Sequence, residues 1–244
     1  MPSVQQIFER KEKKYLLSEK EKDALLARIG DRLTPDKYGH STVCSLYFDT
    51  ADYRIIRASI GARTYKEKLR LRCYGTPDTD STVFLELKKK YRGVVYKRRE
   101  KIPLSAAYDY INTGVLPKDT QIMREIDWMR KTNDLAPVIL LAYDREAFYS
   151  EEIAGLRLTF DTNVRFRTED LRLEHGPDGQ TLLPTGRYIL EIKTLGAMPL
   201  WLTHELDALS LYPTSFSKYG TAYKEYLCPA HADHFSPIQE AFHA

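Results

Sequence analysis

Polar and apolar residues alternate along several segments of the chain, a pattern typical of β-strands whose two faces differ. In the segment 68–73, Lys68, Arg70 and Arg72 lie on one side, with leucines and a cysteine on the other. The pattern recurs in the segments 85–90, 141–145, 156–161 and 189–193. A single strand of this kind usually exposes its ionic side to solvent. The repetition predicts instead a curved antiparallel sheet with one ionic face and one apolar face.

Segments with helical spacing lie between the predicted strands. Ser18 and Glu21 have the spacing of a capping box, and Leu25 and Ile29 continue the apolar stripe of a first helix. Further helices are predicted at 105–111, 121–131, 201–209 and 217–227, with a short helical or irregular segment at 53–57. Besides the two hairpins within 68–102, strands are predicted at 7–17, 42–49, 138–149, 156–168 and 187–194.

The predicted helices indicate which face of the sheet points inward. If the ionic rows line the inside of a closed barrel, the apolar rows face outward and the helices cover them. If the apolar rows filled the interior, the amphipathic helices would have nothing to cover. We therefore predict an α+β fold, a closed antiparallel β-barrel with helices packed outside.

Composition narrows the class of protein. The 244-residue chain has no Gly/Ser-rich linker, repeat or low-complexity run, so we predict a single domain, 1–244. Its net charge is only +3, yet residues 63–101 contain thirteen Lys or Arg against five acidic residues, which indicates a polyanionic partner. Three cysteines without a CxxC pair, a charged N-terminus and no apolar stretch of ~18 residues predict a soluble, cytoplasmic protein.

The chain lacks the motifs of covalent catalysis and of phosphate-binding glycine loops. G-x-S-x-G, Walker A and G-x-G-x-x-G are all absent, so side chains would have to bind any phosphate. His231 and His234 have a spacing compatible with a metal site, but they lie in a tail that contains Pro229 and Pro237, which disfavours one.

Three carboxylates lie beside Lys or Arg on ionic strand faces: Glu12, Glu86 and Glu191. They either balance charge between neighbouring bases or hold a divalent metal that bridges phosphate oxygens, and the pattern leaves both interpretations open. Burying so many basic residues in a dry interior would be very costly without water, carboxylates and a multiply charged anion. A triphosphate or longer polyphosphate with a bound metal meets that need, because Arg forks match phosphate oxygens and Lys adds point charge.

Short motifs over nearly the whole chain match a known family, and their order and number make the match specific. They are Arg10-x-Glu12-x-Lys14-Tyr15, Tyr47-Phe48-Asp49-Thr50, Lys68-Leu-Arg70-Leu-Arg72, Glu86-x-Lys88, Tyr96-Lys97-Arg98-Arg99, Tyr143-x-Arg145, Arg157-x-Thr159-x-Asp161, Leu190-Glu191-Ile192-Lys193 and Ser215-Phe-Ser217-Lys218-Tyr219. The chain resembles the polyphosphate polymerase domain of the vacuolar transporter chaperone (VTC) group, within the triphosphate tunnel metalloenzyme or CYTH superfamily.

The resemblance implies a tunnel of about eight antiparallel strands in which basic side chains bind a triphosphate and a carboxylate holds Mn²⁺ or Mg²⁺. The implied catalytic phosphate ligands are Lys14, Arg70, Arg72, Lys88, Lys97, Arg145, Arg157, Lys193 and Lys218. Glu191 is the implied metal ligand, Glu12 and Glu86 are further metal candidates, and Arg10, Tyr143 and Ser217 are assigned to cofactor binding. The inward-facing residue among Lys97, Arg98 and Arg99 depends on strand register.

The implied function is that of an ATP-dependent polyphosphate polymerase, a phosphotransferase acting on ATP and a pyrophosphate or polyphosphate primer. Hydrolase and cyclase members of the superfamily are similar in having Glu-x-Glu-x-Lys near the start, whereas this chain has Arg10 at the first Glu. Losing that carboxylate favours transfer over hydrolysis.

Two alternatives stay open: a tripolyphosphatase or nucleoside triphosphatase in the same tunnel, and a non-catalytic polyphosphate-binding module. A nucleic-acid partner is not expected, because the tyrosines mostly fall between the basic motifs or on helices. A membrane protein on a separate chain, metal preference, tunnel polarity and oligomeric state are left open.

Overall fold

One antiparallel sheet dominates the computed structural model, which describes residues 11–62, 64–92 and 94–228. Its strands are β1 (Lys11–Ser18), β2 (Thr34–Asp49), β3 (Tyr65–Tyr74), β4 (Thr82–Tyr91), β5 (Val94–Pro103), β6 (Ala136–Tyr149), β7 (Arg157–Arg167), β8 (Gln180–Thr181) and β9 (Arg187–Thr194). Eight of them follow each other in the order β1-β9-β7-β6-β2-β3-β4-β5, and β8 pairs with β7. The predicted bounds of β9 are confirmed, whereas β2 begins eight residues before the predicted start.

The helices lie between the strands as predicted. They are α1 (Glu19–Ile29), α2 (Arg54–Gly61), α3 (Leu104–Thr113), α4 (Gln121–Asn133), α5 (Leu200–Ala208) and α6 (Lys218–Ala222), the last followed by a π-helical turn, Tyr223–Leu227. The capping box is confirmed: Glu21 accepts from the Ser18 backbone N–H at 2.6 Å, and Ser18 Oγ accepts from the Glu21 N–H at 3.3 Å. No helix in the described ranges has the length and apolarity that a membrane span needs.

The hydrogen-bonded sheet is open, which corrects the predicted closed barrel. Strands β1 and β5 are its two edges, and no backbone ladder joins them among the described residues. The sheet nevertheless curls, as the contact of 3.7 Å between Glu12 on β1 and Lys88 on β4 shows. The free edge of β1 is also partly occupied, since Thr214 donates its backbone N–H to the Lys14 carbonyl at 2.7 Å. A side-chain contact therefore bridges β1 and β4, while the loop at Thr214 covers part of the β1 edge.

Apolar rows cover the outer face of the sheet, as the alternation predicts. On β3, Leu69 and Leu71 are fully buried against Tyr110 of α3 and Met123 and Ile126 of α4. A second outer cluster joins β1, β7 and β9 to α1 and α5. The opposite face, from Glu12 and Lys14 on β1 to Glu191 on β9, is called the inner face below. Because the apolar rows are buried on the outer face, the ionic residues that alternate with them lie on the inner face.

Two helices pack on the inner face, which corrects the prediction that all helices lie outside. Ile56 of α2 and Tyr219 of α6 form one cluster with inner-facing Val43 on β2 and with Ile139 and Leu141 on β6. These strands are apolar on both faces in this region, so the inner face needs cover here as well. The inner face thus has an ionic half and an apolar half, and α6 brings Ser217 and Lys218 to their boundary.

Candidate active site

Strand register aligns basic residues on the inner face of β3, β4 and β5. Arg70 lies opposite Glu86, which lies opposite Arg99. One step along, Lys68, Lys88 and Lys97 form a second row. The register also answers the question that the sequence left open, because Arg98 pairs with Leu87 and therefore points to the outer face. There it contacts Glu125 of α4 at 3.3 Å.

Glu86 is the centre of this region and has no solvent-exposed surface. Arg70 Nε donates to one of its oxygens at 2.8 Å, while Arg99 Nε at 2.6 Å and Lys97 at 2.8 Å contact the other. Burial opposes ionisation, but the charges of Arg70, Arg72 and Lys97 hold the pKa of the carboxyl well below its ordinary value. Both oxygens are thus occupied by cations, so the contacts favour charge balance over metal binding for Glu86.

A second carboxylate, Asp161 on β7, organises the basic residues of β6 and α6. Arg145 binds it with two parallel hydrogen bonds, and Lys218 donates to it as well. The Tyr143 ring lies 4.2 Å from the Lys218 ammonium and 5.1 Å from the Arg145 guanidinium. Asp161 is 1% exposed, so two predicted phosphate ligands are held in place by a buried anion.

Glu12 and Glu191 form a carboxylate pair of diagonal neighbours on β1 and β9, because Glu12 lies opposite Lys193 and Lys14 lies opposite Glu191. Lys193 donates to Glu191 at 3.0 Å, and Arg145 lies 3.6 Å from the same oxygen. Burial opposes ionisation of Glu191, but Lys193, Glu12 and the charge of Lys14 hold its pKa well below the ordinary value. Burial likewise opposes the charge on Lys14, yet Glu191 and Glu12 raise its pKa. Glu191 is therefore a carboxylate surrounded by cations.

The carboxylate pair fits a single divalent metal. Mg²⁺ is usually held by one or two carboxylates and substrate phosphates, and Mn²⁺ also prefers oxygen ligands. Thr159 lies opposite Glu191 on the inner face, and its buried hydroxyl has no hydrogen-bond partner in the structure. No cluster of three or more His, Cys, Asp or Glu exists in the described ranges. The oxygen donors therefore suit one metal whose remaining ligands are water and phosphate.

The other predicted site residues lie at different depths of the inner face. Arg72 is 7% exposed and donates to Tyr143 at 3.2 Å, deep in the inner face. Arg157 shares that face but lies at its rim, where it contacts Asp36 at 2.6 Å and its side chain is 48% exposed. Ser217 caps α6 and accepts from Lys68 at 2.9 Å. Arg10, His231 and His234 lie outside the described residues.

Four inner-face groups belong to the quoted motifs but were not among the predicted site residues: Tyr47, Lys68, Arg99 and Asp161. Their contacts depend on strand register and on the fold of α6. Tyr47 accepts from Arg70 at 3.0 Å. Burial opposes its ionisation, yet Arg70, Lys68 and Arg72 lower the pKa of its hydroxyl to about 7.

Asp49, in the motif that follows Tyr47, has a structural role. It is fully buried and accepts the backbone N–H groups of Ile55 and Ile56 at 2.8 and 2.9 Å, which begins α2. It also accepts from the Tyr219 hydroxyl at 2.8 Å. One carboxylate therefore fixes both inner helices, and through α6 it positions Ser217 and Lys218.

Comparison with known families agrees with this geometry. The VTC domain model matches residues 9–227, which is nearly the whole chain. The chain belongs to the VTC domain family. No curated protein matches it.

Solved structures share the fold of this VTC domain at low sequence identity. A proposed adenylate cyclase from Bacillus halodurans is 14% identical with a TM-score of 0.53, over 87% of this chain and 94% of that one. A proposed adenylyl cyclase from Hippeastrum, described as having a dominant triphosphatase activity, is 17% identical with a TM-score of 0.52, over 89% and 97% of the two chains. At sequence identities this low, the structural similarity shows a common fold alone.

Proposed function

We propose that this VTC domain is an ATP-dependent polyphosphate polymerase that transfers the γ-phosphate of ATP to a polyphosphate chain. The observation that carries the proposal is the charge of the inner face. Its basic groups, or those packed against it, are Lys14, Lys68, Arg70, Arg72, Lys88, Lys97, Arg99, Arg145, Lys193 and Lys218. The carboxylates that oppose them are Glu12, Glu86, Asp161 and Glu191. Such an excess of cations is stabilised by a polyanion such as a triphosphate.

The inner face would act by positioning and charge neutralisation. Arg70 and Arg145 are each held by a buried carboxylate, so their guanidinium groups are oriented before a phosphate binds. A divalent metal at Glu12 and Glu191 would neutralise charge on the transferring phosphate. With the guanidinium groups and the metal in place, the terminal phosphate of the primer, which is already anionic, would attack the γ-phosphorus, and ADP would leave.

The carboxylates of the inner face are better suited to transfer than to activation of water. A general base works best with a pKa near the operating pH. Surrounding cations overcome the effect of burial and lower the pKa values of Glu86, Asp161 and Glu191 below those of ordinary carboxyls. A phosphate acceptor needs no such base, whereas a water acceptor does. This contrast favours the polymerase over a tripolyphosphatase.

The direct test is incubation of the purified protein with ATP and Mn²⁺, with and without a pyrophosphate primer. A gel stained for polyphosphate and an assay for free phosphate report the two products. A ladder of long anions with matching ADP is the expected result. Release of phosphate without a ladder would identify a hydrolase, and neither product would favour a non-catalytic polyphosphate-binding module.

The variant Tyr47→Phe tests whether the protein acts as a polymerase or as a hydrolase. Tyr47 is an inner-face group whose pKa, about 7, suits a base that activates water. A hydrolase that used it would lose about 10²–10⁴-fold in rate. We expect only a slight loss of polyphosphate synthesis, because Arg70 retains its contacts with Glu86. A large loss of phosphate release in this variant would contradict the polymerase.

The affinity of the protein for tripolyphosphate should fall as the pH rises from about 7 to about 9. Burial, together with the charges of Lys14, Lys88 and Arg70, lowers the pKa of Lys68 to about 8. Lys68 is therefore a cation below pH 8 and loses its charge above it, so binding is stronger on the acid side. Titration calorimetry at constant ionic strength measures the trend. Lys68→Arg keeps the charge throughout and should reduce the slope, while Tyr47 and Lys97, with pKa values of about 7 and 8, maintain the rest of it. An unchanged slope would exclude Lys68 as a source.

A further inference from the structure

A cavity of about 250 Å³ opens between strands β3 and β4 and the inner helices α2 and α6. Its lining contains six lysines: Lys14, Lys66, Lys68, Lys88, Lys90 and Lys224. We call it the lysine cavity. Glu67 is its one acidic lining residue, and the Tyr65 hydroxyl donates to that carboxylate at 2.7 Å. Positive charge therefore converges here from three strands and from the turn that follows α6.

Four of these lysines have no acidic partner within the described part of the chain. They are Lys66, Lys68, Lys90 and Lys224. Lys68 is the deepest of them, with its ammonium bonded to Ser217 and near the Tyr219 ring. Like charges gathered in one cavity repel each other, and a multiply charged anion removes that repulsion while accepting their hydrogen bonds. The lysine cavity has the chemistry of an oligophosphate site.

The cavity is continuous with the proposed reaction centre. Lys14 and Lys88 line it, and both also contact Glu12 of the carboxylate pair, at 3.6 and 3.7 Å. A phosphate chain with one end at the carboxylate pair would therefore meet the lysine cavity with its next units. None of the described residues that line this cavity is aromatic. A second cavity of about 200 Å³, at Lys193 on the other side of the pair, is lined by Tyr149 and Arg157 and suits a nucleoside better.

We propose that the lysine cavity binds internal phosphates of the polyphosphate chain as it leaves the reaction centre, and so sets the length of the product. The inference rests on the proposed polymerase function. Lys66, Lys90 and Lys224 form the rim of this site, and Lys68 its floor. The rim lysines are not among the residues that hold the reacting phosphates. Replacing them therefore tests the binding of the chain separately from the transfer reaction.

The test compares the triple variant Lys66→Ala, Lys90→Ala, Lys224→Ala with a control of equal charge change. The control, Lys13→Ala, Lys20→Ala, Lys37→Ala, removes three exposed lysines that do not line the cavity. Two ligands are titrated without nucleotide, tripolyphosphate and long-chain polyphosphate. The rim variant should bind the long chain about tenfold more weakly, with a smaller salt dependence, because three exposed phosphate contacts are lost. Its affinity for tripolyphosphate should not change, and the control should bind both ligands as the wild type does.

Several results would overturn the proposal. Wild-type affinity of the rim variant for the long chain would do so, and so would an equal loss for both ligands or the same loss in the control. A second comparison uses single changes: Lys90→Glu is compared with Lys89→Glu, because the two lysines are neighbours on opposite faces of β4.

The experiment also separates the two proposals. If the wild type makes no polyphosphate from ATP yet the selective loss of chain binding is seen, the polymerase fails while the chain-binding site stands. If it does make polyphosphate, the rim variant should yield shorter chains at an unchanged initial rate.

Discussion

Glu191→Gln should reduce ATP-dependent phosphate transfer by about 10²–10³-fold, the usual loss when one stabiliser of transition-state charge is removed. The change keeps the shape of the side chain but removes the anion that, with Glu12, fits the metal. Arg145 keeps its bonds to Asp161, so the surrounding structure has no reason to rearrange. Initial rates of ADP release at saturating Mn²⁺ measure the loss, and direct titration with Mn²⁺ measures metal affinity.

The matched control for this variant is Glu146→Gln. Glu146 lies on the outer face of β6, next to Arg145, and contacts Lys22 of α1 at 2.9 Å. The same chemical change on the opposite face should leave turnover and Mn²⁺ affinity unchanged. Wild-type turnover in Glu191→Gln, or an equal loss in both variants, would contradict the metal-binding role of Glu191. Weakened Mn²⁺ binding in Glu191→Gln without slower turnover would instead separate the metal from the reaction.

Alternation along the strands predicted which side chains share the inner face, because period two depends on covalent geometry alone. Which groups touch one another depends on register. Glu86 meets Arg99 because of the register in which β4 pairs with β5. The same register places Lys97 on the inner face and Arg98 on the outer face. Motif positions could therefore be predicted from the sequence, while the carboxylate partners of the cations could not.

The position of α2 and α6 on the inner face escaped prediction for a different reason. The segment 138–142 is a continuous apolar run, which indicates a strand buried on both faces. That run was a sign that something covers β6 from the inside. Helix α6 has only five residues, too few for a periodic pattern to show which face it buries. The open sheet also could not be predicted, because alternation shows which face is ionic but not whether β1 and β5 share a backbone ladder.

Glu86→Gln should destabilise the fold by roughly 3–5 kcal/mol, the usual cost of leaving a buried charge without its partner. The amide cannot balance Arg70, Arg99 and Lys97, which would then repel one another around a fully buried side chain at position 86. Chemical denaturation measures the free energy of unfolding. Glu125→Gln is the control, because Glu125 makes the equivalent contact with Arg98 on the outer face, where both side chains are about one-third exposed. An exposed pair is worth at most about 1 kcal/mol, so the control should lose little.

Tripolyphosphate should restore much of the stability that Glu86→Gln removes. An anion that binds only the folded state stabilises it in proportion to its affinity and concentration. In the variant, the uncompensated guanidinium groups gain more from a bound phosphate than they do beside an intact carboxylate, so the ligand should raise Tm more than in the wild type. An equal rise in both proteins would show that the Glu86 cluster is not in contact with the phosphate chain. Equal stability of Glu86→Gln and Glu125→Gln without ligand would show that water, not Glu86, balances these cations, and the inner face would then be a solvated surface.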